Sequence, residues 1–198
     1  MKRQLFALFT AACMSAAAWA QTAPVDVVKQ AVTGTVEAMK QDPAARGGDV
    51  TKIAQIVQAH FLPATNFEKT ARIAAGEAWK QATPAQQQEL TKQFKVLMTR
   101  TYAASLAQLG QQDARFAFKP SEATANDALV LSTVTTPGDS QQVGYRLGKV
   151  GSDWKIYDID MSGAWLIQIY QSQFKRQLAQ GGIDGLIKYL AAHNARSE

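Results

Sequence analysis

The chain has 198 residues, 46% of them hydrophobic and 19% charged, with a formal net charge of +5. The Lys and Arg residues are scattered and form no cluster among aromatics, which excludes a nucleic-acid signature but suits contact with anionic lipid. Cys13 is the lone cysteine, so no internal disulfide can form and stability must come from a core.

Met1-Lys2-Arg3-Gln4 is a short positive region and Leu5 to Ala12 an apolar run, the pattern of a secretory signal peptide. Ala18-Trp19-Ala20 places small residues where a signal peptidase reads. Cleavage after Ala20 leaves 198 − 20 = 178 residues, one domain spanning 21–198, and removes Lys2 and Arg3, so the charge falls to +3. The apolar stretch is too short, and too interrupted by Thr10 and Ser15, for a membrane span of about 20 residues. Lipidation of Cys13 would need an apolar residue where Thr10 stands, so the cysteine reads as a spare residue in a discarded peptide.

In the mature chain, Val25, Val28, Val32, Val36 and Met39 recur at helical steps and predict a helix from Val25 to Lys40, ended by Asp42-Pro43. Ala44 to Asp49 reads as a polar loop. A second helix from Thr51 carries Ile53, Ile56, Val57 and Phe61 and stops before Pro63. Thr65 or Asn66 caps a third, closed by Gly76. Thr83-Pro84-Ala85-Gln86 is a stronger start signal, a capping box with proline at the first helical position. The helix it opens is expected to stop at Gly110, with Leu90, Phe94, Leu97, Met98, Tyr102, Leu106 and Leu109 on one stripe.

The period then changes to alternation. Ala114 to Lys119, Ala128 to Thr135, Gln142 to Val150 and Trp154 to Met161 read as four strands joined by short turns, hence an antiparallel sheet. After Ser162-Gly163 helical spacing returns, with Leu166, Ile169, Tyr170, Phe174 and Leu178 on one face as far as Gly181-Gly182. A last helix holds Ile183, Leu186, Ile187 and Leu190. The expected fold class is α+β, helices packed on a curved four-stranded antiparallel sheet that encloses an apolar pocket.

Catalytic chemistry has little support. His60 and His193 stand alone, and no nucleophile elbow, phosphate loop, dinucleotide fingerprint or zinc helix is present. Asp158 and Asp160 share a strand face and could act as a base or hold a metal, but an ion pair with Arg146 or Lys155 explains them as well.

Val143-Gly144-Tyr145-Arg146-Leu147, then Gly151-Ser152-Asp153-Trp154-Lys155-Ile156-Tyr157-Asp158-Ile159, resemble the MlaC or toluene-tolerance family of periplasmic phospholipid-binding proteins. The likeness continues through Ile169-Tyr170-Gln171-Ser172-Gln173-Phe174 and Gly182-Ile183-Asp184-Gly185-Leu186-Ile187. Upstream it includes Asn66-Phe67-Glu68, Trp79-Lys80-Gln81-Ala82-Thr83-Pro84 and Phe94 to Tyr102. Asn66 departs from the usual aspartate, and Ala164-Trp165 from the usual small residues.

The resemblance implies a cystatin/NTF2-like sheet wrapped by helices, with phospholipid as cargo and no cofactor, metal or catalytic residue. It implies a monomeric carrier in the periplasm of a Gram-negative bacterium. Its expected partners are the substrate-binding ring of an inner-membrane ABC transporter and an outer-membrane lipoprotein/porin complex, in a system maintaining outer-membrane lipid asymmetry. The expected tail-pocket residues are Phe94, Leu97, Met98, Tyr102, Leu106, Tyr145, Leu147, Trp154, Ile156, Ile169, Tyr170 and Phe174. Arg100 and Arg146 are candidates for the head-group phosphate. The competing expectation is an NTF2-like enzyme acting on a small apolar substrate with Asp158 or Asp160 as base.

Overall fold

The computed structural model describes residues 22–119, 122–161 and 163–196; the expected signal peptide, 1–20, lies outside them. Helices α1 (Pro24–Gln41), α2 (Pro43–Arg46), α3 (Val50–His60), α4 (Phe67–Ala75), α5 (Ala78–Gln81) and α6 (Pro84–Gln111) come first. Strands β1 (Arg115–Lys119), β2 (Asp127–Thr136), β3 (Asp139–Val150), β4 (Asp153–Met161) and β5 (Ala164–Trp165) follow, and α7 (Leu166–Arg196) ends the chain.

The strands form one antiparallel sheet in sequential order β1-β2-β3-β4-β5. The α+β expectation holds, with five strands instead of four. Ala164–Trp165 pairs with Met161 and Asp160 for only two residues, too short to leave an alternating pattern, and Gly163 at φ 84° makes the tight turn before it. Two short helices complete the set, the first a correction to the polar loop expected from Ala44 to Asp49. Ala44 belongs to the one-turn α2, where Asp42 Oδ1 accepts the amides of Ala44 and Ala45. Ala78–Gln81 forms another single turn.

Local signals account for most boundaries. Asn66, not Thr65, caps α4, its Oδ1 accepting the Lys69 amide at 3.0 Å. At α6 the Thr83 hydroxyl accepts the Gln86 amide while the Gln86 side chain accepts the Thr83 amide, satisfying donors that a helix start otherwise leaves open. Gly110 does not end α6. A Cβ there would lie 3.1 Å from the Cβ of Met39, so this glycine permits α1 and α6 to touch. α7 breaks where expected, at Gly181 and Gly182, the latter at φ 57°, ψ −153°.

Three buried clusters hold the layers together. One lies among helices, with Phe94 edge-on to Phe67, Tyr170 and Phe174 at 5.5, 4.8 and 5.0 Å, and with Leu90, Leu186 and Leu190 around them. A second joins Val28 and Ala31 of α1 to the inner sheet face at Val130, Leu147, Trp154 and Ile156. The third packs Met39, Ile53 and Val57 against Ala103 and Ala107 of α6. α6 therefore joins the layers: its first half is embedded in the helical cluster, and its second half packs on α1 and α3 while Leu109 faces the sheet cluster.

Candidate functional site

Between the inner sheet face and the second half of α6 the packing leaves a cavity of about 210 Å³. The sheet contributes Phe116, Val134, Val143, Tyr145, Ile156, Ile159 and Met161. Val32 and Val36 of α1, Val57 of α3, and Phe61 and Leu62 after it close one side. Met98, Thr99, Tyr102, Ser105, Leu106 and Leu109 of α6 form the roof.

A β-bulge decides which residues of β4 face inward. Leu147 pairs with Ile156 but Arg146 pairs with Asp158, so Tyr157 is an extra residue and the alternation shifts by one. Before the bulge Trp154 and Ile156 share the inner face with Leu147; after it Ile159 and Met161 do, opposite Tyr145 and Val143. The carbonyls exposed at the bulge are taken up by the start of α4. The Asn66 amide donates to the Ile156 carbonyl at 2.8 Å and the Thr70 hydroxyl to that of Tyr157 at 2.7 Å.

Most polar groups of the lining are turned into the protein. Thr35 donates to the Ala31 carbonyl, Thr65 to that of Leu62, and Ser132 donates to the Tyr145 hydroxyl at 3.4 Å. Among the described residues Asp158 is the one charged member of the lining, and its side chain is fully buried. Its Oδ1 accepts the amides of Ile159 and Ile167 and its Oδ2 pairs with Arg146 at 3.2 Å. Burial raises its pKa despite these donors. Burial likewise raises the phenols of Tyr145 and Tyr102, and drives Tyr170, which shares a hydrogen bond with Tyr102, up to about 12. The surface left facing the void is hydrocarbon with a few hydroxyls.

Of the twelve expected pocket residues, Met98, Tyr102, Leu106, Tyr145 and Ile156 line this cavity. Phe94, Leu97, Tyr170 and Phe174 instead fill the helical cluster, because α7 meets the sheet only at its start, through Leu166 and Ile167, and packs its aromatic face on the first half of α6. Leu147 and Trp154 lie on the same sheet face, in the solid cluster under α1. Ile169 is half-buried on α7, away from the lining.

Neither arginine is part of the lining. Arg100 donates to the Asn194 carbonyl near the end of α7. Arg146 lies 3.7 Å beneath the Trp165 ring while paired with Asp158, on the outer sheet face beside Gly144 and Asp160. Asp158 and Asp160 do share a face, and the ion pair with Arg146 accounts for Asp158. Among the described residues no group of three or more metal-binding side chains occurs, and no helix is long and apolar enough to cross a membrane. The contributions of α1, α3, Phe116, Val134 and Val143 were missed, although the Val28-Val32-Val36 stripe and the strand alternation carried the signal.

Residues 29–192 match the sequence model of the MlaC protein family. A curated relative, the intermembrane phospholipid transport system binding protein MlaC of Haemophilus influenzae, is 22% identical over 184 residues, 91% of this chain and 86% of the relative. A solved structure, the phospholipid-binding protein of Ralstonia solanacearum in complex with a phospholipid, superposes with a TM-score of 0.83. It is 38% identical, covering 89% of this chain and 99% of that one. In sequence and in three dimensions, this chain belongs to the MlaC family.

Proposed function

We propose that this protein is a periplasmic carrier that takes phospholipid between outer-membrane and inner-membrane complexes of an ABC transport system, holding the acyl chains in the cavity beneath the sheet. The observation that carries this reading is an internal wall of hydrocarbon whose polar groups are mostly committed elsewhere, in a chain 38% identical to a protein solved with phospholipid bound.

The energetics favour such a device. Two acyl chains hold roughly 30 methylenes, each costing about 0.8 kcal/mol to expose to water, so free crossing of an aqueous gap is prohibitive. A carrier that imitates the bilayer interior makes loading and release nearly balanced exchanges, and requires no nucleophile. An apolar cavity of about 150 Å³ accommodates benzene, so 210 Å³ holds on the order of ten carbons. Loading both tails then widens the space between α6 and the sheet.

The test is mass spectrometry of a denaturing extract of protein purified from its native host. Phospholipid at near one molecule per chain is expected. A lipid-free preparation that takes up none from vesicles would overturn the reading.

A further inference from the structure

Apart from Tyr157, whose ring lies under Lys69 beside Gly148, the hydroxyls of the cavity wall fall into two groups. Thr35, Thr65, Thr70 and Tyr145 have partners inside the protein. On α6 the pattern differs. Thr99, Tyr102 and Ser105 are spaced three residues apart on the face that roofs the cavity. Thr99 and Ser105 have no hydrogen-bond partner among the described residues, whereas Thr33, Thr35, Thr91 and Ser172 each donate to the carbonyl one turn back in their helices. The Tyr102 hydroxyl is hydrogen-bonded to that of Tyr170.

The stripe is graded in depth. Thr99 and Tyr102 are half-buried and Ser105 is the exposed member of the lining, so the row leads from the hydrocarbon interior to the rim. Six residues of helix span about 9 Å. A phospholipid entering tails first carries its two ester carbonyls at the boundary between chains and head group. Those carbonyls are acceptors without donors; Thr99 and Ser105 supply uncommitted hydroxyls, and the Tyr102 hydroxyl between them is shared with Tyr170.

We infer that Thr99, Tyr102 and Ser105 form a recognition stripe for the acyl-ester carbonyls, making the protein selective for ester-linked glycerolipids. This rests on the carrier reading above and deepens it. Chain burial supplies affinity regardless of linkage, and the stripe adds a discrimination of about fivefold per hydroxyl, the usual worth of a neutral hydrogen bond.

The experiment offers the lipid-stripped full-length mature chain vesicles holding equal amounts of diester and diether phosphatidylethanolamine with matched chains, and reads the bound ratio by mass spectrometry. Wild type should be enriched in the diester relative to Thr99→Val, Tyr102→Phe and Ser105→Ala. Each variant should still load lipid. Ser105→Ala, at the exposed rim, cannot disturb the core and keeps the comparison readable if the other two fold poorly. An unchanged ratio in Ser105→Ala and Thr99→Val overturns the inference while the carrier reading stands. Failure of wild type to load either lipid overturns both.

Discussion

Filling the cavity should separate lipid loading from folding. Val143 lies in the middle of the inner sheet face, 8% exposed, between Ser132 and Met161 on the neighbouring strands. Val143→Phe adds roughly four heavy atoms to a space that holds on the order of ten carbons, displacing about as many acyl carbons. At about 0.8 kcal/mol per methylene the loss is about 3 kcal/mol, roughly a 200-fold weaker uptake. Stability should not fall, because the added ring occupies existing space; cavity-filling changes commonly add about 0.5 to 2 kcal/mol. The assay is uptake from phospholipid vesicles by the lipid-stripped chain, with a thermal melt of the same sample. Phe94→Leu is the counterpart. Phe94 is fully buried with three edge-to-face ring contacts, so its loss should cost about 2 kcal/mol yet leave lipid per folded molecule unchanged. A Val143→Phe protein that melts no lower than wild type and loads as much lipid would refute the assignment of this cavity to the tails.

Other perturbations test the frame around the cavity. The fold holds Tyr170 protonated up to about 12, so its contribution is complete below pH 10, where the unfolded phenol ionises, and is lost as pH rises through 12. Tyr170→Phe should therefore remove about 2 to 3 kcal/mol of alkaline destabilisation between those values in pH-dependent urea melts. Arg146→Ala leaves the buried Asp158 carboxylate with only its two amide donors. Because the Arg146 side chain is 40% exposed, the cost should be about 1 to 3 kcal/mol by urea denaturation, below that of a fully buried pair. Asp158 already has a raised pKa, so the native state binds its proton more readily than the unfolded chain, and the variant's deficit should shrink as pH falls. Gly182→Ala places a side chain at φ 57°, ψ −153°, a region nearly confined to glycine, and should lower stability by about 1 to 3 kcal/mol, or several degrees in a melt.

Much of the frame was legible because its signals are local. The Thr83-Pro84-Ala85-Gln86 box, the Gly76 stop and the Gly181-Gly182 break act within a few residues, so sequence alone places them. Gly110 misled because a glycine near a helix end has two uses. It can terminate the helix, or it can admit a neighbour, and only the position of Met39 tells which. The inward face of β4 was illegible for a related reason. Strict alternation sets Trp154 and Ile156 against Ile159, and the extra Tyr157 reconciles them through a pairing with β3 that is not written within β4 itself.

The site was half legible because periodicity reports that a face is covered, not what covers it. The stripe from Leu90 to Leu109 is continuous along α6, yet Leu90 and Phe94 meet other side chains while Leu106 and Leu109 meet a void. The hydroxyls mark the change. A tightly packed helical interface has no use for Thr99 on its inner stripe, since an unpaired hydroxyl buried there would cost about 1 to 3 kcal/mol. That division also suits the proposed task. The helical cluster around Phe94 and the α1–α3 cluster around Met39 and Ile53 border the tail space, touching it through Met98 and Val57, and hold α6 from both ends. On the proposed reading the empty carrier would keep its fold after the lipid leaves, with the cost of release falling on the cavity wall and not on the core.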